Sequence, residues 1–198
     1  FMFAQLDTKS VYSFMDSVVD LNSYVARAKE LGYQALGLMD RDNLYAAYHF
    51  AQLASGNGLR PLIGMEANLF YEGRKIPFRL LAKNNQGYKN LMKLATELSS
   101  GQREFTAFSD YLNAIALILP SEDWEPGMTL GSEVFIGVRP EDAGKEFDYP
   151  VVPLHTVRYF ENADRSTIQM LHAISQNVSL SEASICPMNQ LLFSPQEM

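Results

Sequence analysis

The residues of this chain that could do chemistry fall in a few short segments. LDTKSVYSFMDS (Leu6–Ser17) carries Asp7, Lys9 and Asp16, and ALGLMDRDN (Ala35–Asn43) carries Asp40 beside Arg41. PLIGMEAN (Pro61–Asn68) carries Glu66, and VVPLHTVRYF (Val151–Phe160) carries Thr156 and Arg158. A fifth segment, LLAKNNQGYKNLMKL (Leu80–Leu94), is amide- and lysine-rich. Carboxylates gathered at one place can hold a hard cation such as magnesium. Lysines and arginines gathered with them would neutralise them instead. Nucleophilic catalysis finds little support, because Tyr12–Ser13 has no histidine base nearby in the chain. His49 and His172 fall inside predicted helices and read as ordinary helix-face residues. Cys186, beside Pro187, has no base or partner in sight and reads as structural.

These residues must be positioned by a folded domain, and 198 residues with 47% apolar content suffice for one with a substantial core. No apolar stretch is long enough to suggest a membrane span. A single cysteine excludes an internal disulfide and suits a reducing cytoplasm. The net charge is −7, from 23 acidic and 16 basic residues, and there is no basic run. Phosphate contacts supply most of the affinity for nucleic acid, so a domain this acidic is not expected to grip DNA by itself.

The pattern alternates short apolar strands with helical stretches. Strands are predicted at Phe3–Leu6, Ala35–Met39, Leu59–Phe70 (broken at Gly64), Phe78–Ala82, Ala114–Leu119, Val134–Val138 and Pro150–Leu154. A helix over Ser23–Leu31 is capped by Asp20 or Asn22 and stopped by Gly32, and a second runs from about Asn43 to Ala54. Asn84 caps a third to about Leu98, and Ala163–Ser175 is a fourth. Pro195 is expected to open a final turn. Tyr45, Tyr48 and Phe50, and likewise Tyr159 and Phe160, read as core or helix-packing residues. The alternation predicts an α/β domain with a largely parallel sheet.

In order and spacing, the five segments resemble the polymerase-and-histidinol-phosphatase (PHP) domain at the N-terminus of bacterial replicative DNA polymerase III alpha subunits. That family reads His-x-His-x-x-Tyr-Ser-x-x-Asp-Gly, then Thr-Asp-His-Gly-Asn, Gly-x-Glu and Asn-Asp-x-His-Tyr. The resemblance is good over Met2–Ala95, acceptable over Pro150–Met198, and poor over Gly101–Tyr149, which looks shortened. It implies one PHP domain over residues 1–198, the N-terminal piece of a longer polymerase. The implied fold is an irregular (β/α)7-type barrel with largely parallel strands, shortened in the middle, with its site at the strand C-terminal ends.

Active members of the family hold a divalent metal cluster between histidines and carboxylates, which activates water for attack on phosphorus. Carried onto this chain, the first histidine pair falls on Asp7 and Lys9, and the following aspartate is kept as Asp16. Asp40 is kept while its neighbouring histidine is Arg41, and the glutamate is kept as Glu66. The last aspartate and histidine fall on Thr156 and Arg158, with His155 where the family more often has asparagine. The stretch Gly101–Tyr149 has neither histidine nor cysteine. If any metal remains, Asp16 and Glu66 are its ligands. Two unit charges ~4 Å apart interact by ~4 kcal/mol at an effective dielectric near 20, so uncompensated carboxylates would be costly. The expectation is an ion-pair network in which Lys9, Arg41 and Arg158 face Asp7, Asp16, Asp40 and Glu66.

The resemblance therefore implies a domain that is itself a metal-free, catalytically inactive scaffold or interaction module, with no cofactor. The parent would be a DNA-directed DNA polymerase, using magnesium at residues beyond Met198. The implied partners are the rest of the polymerase chain and replisome proteins, with DNA engaged through the full-length protein rather than this domain, and no membrane. The alternative is a residual metal-dependent phosphoesterase, acting as a 3′–5′ exonuclease or pyrophosphatase. A standalone histidinol-phosphatase-like enzyme fits less well, since the lysine- and amide-rich fifth segment resembles the polymerase branch.

Overall fold

A computed structural model describes residues 4–131 and 133–194. Phe3 and Pro195, at the ends of the predicted elements, lie outside them. The strands are β1 (Ala4–Gln5), β2 (Asp7–Thr8), β3 (Ala35–Leu38), β4 (Arg60–Tyr71), β5 (Arg74–Ala82), β6 (Ile115–Pro120), β7 (Val134–Val138), β8 (Val151–Pro153) and β9 (Thr156–Val157). The helices are α1 (Leu21–Glu30), α2 (Ala47–Gly56), α3 (Asn85–Ser99) and α4 (Asp164–Gln176). The chain divides into two compact units. The first comprises the described residues of Phe1–Asp40, Tyr45–Leu62 and Thr156–Met198, and the second comprises Arg41–Leu44 and Ile63–His155.

In the first unit local chemistry sets the helix ends. The Asp20 carboxylate accepts the Ser23 amide at 2.9 Å, which satisfies one of the donors left open at the start of α1. Arg27 and Lys29 lie in the last turn, where cations favour the helix dipole, and Gly32 follows at φ +82°. Tyr24, Val25 and Ala28 bury one face of α1, and Tyr24 stacks on Phe50 of α2 with ring centroids 5.9 Å apart. β1 runs parallel to β3, and β2 parallel to β9. The α2 expectation needs correction: the helix begins at Ala47, and the Asn43 amide donates to the Arg41 carbonyl instead of capping a helix. The shift leaves Tyr45 and Tyr48 exposed at 80% and 70%, while Phe50 is buried as expected.

β4 starts in the first unit and runs on into the second as one unbroken twelve-residue strand, so Gly64 does not interrupt it. Gly64 pairs with Leu81 inside the ladder. Glu72 and Gly73, both at positive φ, make the two-residue turn into β5. Met65, Ala67 and Leu69 of β4 and Ile76, Phe78 and Leu80 of β5 face one core with Leu91, Leu94 and Leu98 of α3. Period-two alternation therefore sends Glu66 and Arg79 to the opposite face, as cross-strand partners. α3 begins where predicted: the Asn84 side chain accepts the amides of Gln86 and Gly87.

The hairpin makes β5 antiparallel to β4, and β5 is also antiparallel to β6. The remaining pairs, β6 with β7 and β7 with β8, are parallel, so the α/β class with largely parallel strands is as expected. Among the described residues, the connections β6–β7 and β7–β8 carry only short 3-10 turns, Ser121–Asp123 and Pro140–Asp142, where a helix would usually cross over. This is the physical content of a middle quarter that reads as shortened. Among the described residues no helix is long and apolar enough to cross a membrane.

The Pro140–Asp142 turn carries a titration signature. Asp142 accepts from Lys145 Nζ at 2.7 Å, Ser121 Oγ at 2.6 Å and the Arg139 amide at 2.9 Å. Those donors, Lys145 first, hold its carboxyl at about 2. A depressed carboxylate stabilises the fold above its unfolded value and loses that contribution as pH falls through the folded one. Thermal unfolding of wild type should accordingly weaken more steeply between about pH 4 and pH 2 than that of Asp142→Asn. Parallel curves for the two proteins would remove Asp142 as the cause.

Candidate functional site

Within the first unit, β2 holds the start of the site. Lys9 and Asp7 are both fully buried, and Lys9 Nζ lies 2.6 Å from Asp7 Oδ1 and 2.6 Å from the Met39 carbonyl. The β2–β9 register places Thr156 opposite Asp7, where its hydroxyl donates to Oδ2 at 2.7 Å. Thr8 donates to the Tyr24 hydroxyl, which donates to the Gly37 carbonyl, tying β2 to β3 through α1. Burial pushes the Tyr24 phenol far up, so it stays protonated and able to donate. Gly37 has no alternative here, because a Cβ would overlap the Leu6 carbonyl oxygen.

Two further carboxylates of this unit are also engaged. Asp40, expected to face a cation, takes instead the Ser10 amide at 2.7 Å and the hydroxyls of Ser10 and Ser13 at 2.7 and 2.6 Å. The loop after β2 thus wraps its donors around Asp40, and the two serines serve that carboxylate. Asp16 pairs through Oδ2 with Arg158 Nη1, while His172 Nε2 stands 3.3 Å from Oδ1. The other ring nitrogen of His172 is 3.0 Å from the Ser184 carbonyl, so the imidazole bridges Asp16 to the segment after α4. His172, in α4 as expected, reaches Asp16 from its helix, a contact the sequence does not signal, whereas His49 is exposed on α2. Burial pushes the Cys186 thiol up, which disfavours the reactive thiolate and fits a structural residue.

The second unit holds Arg41 and Glu66. Arg41 bridges Glu66 in the backbone, and the Asp42 amide donates to the Glu66 carbonyl at 2.8 Å. Glu66, 2% exposed, takes Arg41 Nε at 2.9 Å on Oε1 and Arg79 Nη2 at 3.3 Å on Oε2. Arg79 is the deeper of the two cations, its side chain 6% exposed against 38% for Arg41. Sequence reasoning passed over Arg79, because alternation with Ile76, Phe78 and Leu80 places it on the face away from that core and nothing in the strand marks that face as buried. It also passed over Arg103, whose Nη1 lies 2.7 Å from Asp42 Oδ2.

Seen unit by unit, Asp7, Lys9 and Thr156 form one cluster, Asp16 and Arg158 a second, Asp40 with two serines a third, and Arg41 with Glu66 and Arg79 a fourth. The chemistry available to them is charge neutralisation and hydrogen bonding. Among the described residues, no three His, Cys, Asp or Glu side chains are grouped so that they could hold a metal ion.

The arrangement defines an α/β domain whose acidic positions are paired with cations and hydroxyls, and comparison with known proteins gives its family. The PHP domain model matches residues 5–125, and the chain belongs to that family. It is 44% identical over its whole length to a DNA polymerase III subunit alpha of Streptococcus pyogenes serotype M1, covering 19% of that protein. It is 33% identical over 61% of its length to the DNA polymerase III subunit alpha of Bacillus subtilis strain 168, covering 11%. The chain therefore spans about a fifth or less of these relatives. A solved amidohydrolase from Chromobacterium violaceum is 18% identical with a TM-score of 0.42, over 50% of this chain and 34% of its own.

Proposed function

We propose that this chain is the PHP domain of a bacterial DNA polymerase III alpha subunit and that it acts there as a metal-free scaffold. Template-directed DNA synthesis, with magnesium, belongs to the rest of that polymerase, and that remainder is the domain's main partner. The reading rests on one observation above the others: the fully buried Lys9 ammonium sits 2.6 Å from Asp7, at positions where metal-holding relatives carry two imidazoles.

The donor chemistry argues the same way. An imidazole-rich cluster needs neutral nitrogen ligands, and Lys9, Arg41 and Arg158 are cations that bring donors and no lone pair. Asp7, Asp16 and Glu66 already accept from them. The residues therefore do not fit the family's metal cluster, and no hydrolytic step is derived from it. Fixed cations supply the neutralisation that metal ions would otherwise supply, so the strand ends keep their arrangement without cofactor.

The test is metal content by mass spectrometry after incubation with zinc and manganese and then dialysis. The expected result is less than about a tenth of an equivalent of either metal. One or more equivalents, lost on Glu66→Ala, would overturn the scaffold reading and restore the phosphoesterase alternative.

A further inference from the structure

The second unit carries a cleft that shares Arg41 with the ion pairs of the scaffold and whose other lining residues lie outside them. It is a cavity of about 470 Å³ lined by Arg41, Asp42, Asn68, Phe70, Lys75 and Arg103. Its floor follows from strand alternation. Glu66, Asn68 and Phe70 of β4, and Arg79, Pro77 and Lys75 of β5, are cross-strand pairs on the face away from the core. Phe70 and Lys75 are thus neighbours across the hairpin. Arg103 is brought in by the Phe70 amide, which donates to its carbonyl at 2.7 Å.

The charge of this cleft runs against that of the chain. Arg41, Lys75 and Arg103 line it with Asp42; Arg41 is paired with Glu66 and Arg103 with Asp42, which leaves the Lys75 charge unbalanced in a chain that as a whole carries −7. Asp42 is already engaged, by Arg103 Nη1 and by the Asn68 amide. Arg103 makes both of its side-chain bonds, to Asp42 and to the Asn68 carbonyl, through Nη1 alone, so its planar fork keeps other donors. Lys75 is exposed and has no hydrogen bond or ion pair among the described residues. A fixed fork beside a mobile ammonium is chemistry suited to a phosphate group. Phe70, 37% exposed, adds a flat apolar face next to Lys75 on which a planar ring can stack. Asp42, at φ +55°, holds a left-handed conformation uncommon for a residue other than glycine, fixed by the Glu66 carbonyl and the Arg103 contact.

We infer that this cleft binds the phosphate group of a nucleotide, through Lys75, Arg103 and Arg41, with the base against Phe70. The cavity lies within the range of small-molecule sites, about 300–1,000 Å³. The nucleotide can be free or the end of a single strand, because both present the same phosphate and base. The inference rests chiefly on Lys75 and Arg103, neither of which, among the described residues, contacts Glu66 or Asp16, so it does not depend on whether those carboxylates hold metal.

The test is titration calorimetry of the 198-residue chain at low ionic strength with deoxyadenosine monophosphate, deoxyadenosine and a hexathymidylate. The monophosphate is expected to bind saturably and the unphosphorylated nucleoside not to bind. Lys75→Gln should weaken the monophosphate about fivefold or more, as loss of a charge-assisted contact requires. It should leave the melting temperature unchanged, and Lys93→Gln, an exposed lysine of α3 outside the cleft, should leave affinity unchanged. Hexathymidylate binding more tightly than the monophosphate, and equally sensitive to Lys75→Gln, identifies a strand end as the source; weaker binding identifies a free nucleotide. Absence of saturable binding by either ligand, or binding indifferent to Lys75→Gln, overturns the inference.

Discussion

Lys9→Ala should lower the stability of the fold by about 3–5 kcal/mol, the usual result of removing one partner from a buried ion pair. For a chain of this size that corresponds to a fall of roughly 6–20 °C in melting temperature. The size of the effect follows from burial. Lys9 and Asp7 are both 0% exposed, and the ammonium also serves the Met39 carbonyl. Without it, a carboxylate taken out of water keeps the Thr156 hydroxyl but loses the ammonium that neutralises it. The long aliphatic stem of Lys9 also leaves a cavity, which adds to the loss. A double-mutant cycle with Asp7→Asn separates the two contributions. Coupling requires the double variant to lose markedly less than the sum of the single losses. Strict additivity would mean that the 2.6 Å contact carries no energy.

Much of this arrangement was legible because it is local. A short side chain with an oxygen acceptor, three residues ahead of an open backbone amide, is a strong helix-capping signal, so the Asp20 carboxylate and the Asn84 carboxamide could be read directly. The turn at Glu72–Gly73 also fixes register: counting back from it pairs Glu66 with Arg79, so that contact was within reach of arithmetic. The motif positions Asp7, Lys9, Asp16, Arg41, Glu66, Thr156 and Arg158 were identifiable from resemblance, but their partners depend on tertiary placement. His172 is 156 residues from Asp16, and nothing in the sequence of α4 marks it as different from His49. Asp40 illustrates the opposite limit. A charged partner was the natural expectation, yet three donors from the neighbouring loop satisfy a carboxylate as well as a cation can. The start of α2 falls later than expected, at Ala47, after a turn, and no side chain caps it to mark the boundary in the sequence.

Around Glu66 the expected hierarchy is Arg79 above Arg41. Both guanidinium groups contact the same buried carboxylate, Arg41 at 2.9 Å and Arg79 at 3.3 Å, so distance alone would favour Arg41. Burial reverses the order. The Arg41 side chain is 38% exposed and its charge is partly screened, which places its loss near the ~1 kcal/mol upper end of solvent-exposed pairs. Arg79 is 6% exposed and also donates to the Pro77 carbonyl at 2.6 Å, so Arg79→Ala should cost about 3–5 kcal/mol. Removing Arg41 leaves Glu66 with a buried cation still in place. Removing Arg79 leaves it with a partner that water competes for, and strips the β5 face of its one buried charge. Urea unfolding of the two variants reads the difference as a shift of midpoint at constant slope. An Arg41→Ala loss equal to or larger than that of Arg79→Ala would mean that the family's motif position, not the buried strand arginine, neutralises Glu66. The outcome decides which residue neutralises Glu66. If Arg79 dominates, the hairpin itself carries the compensating charge for Glu66.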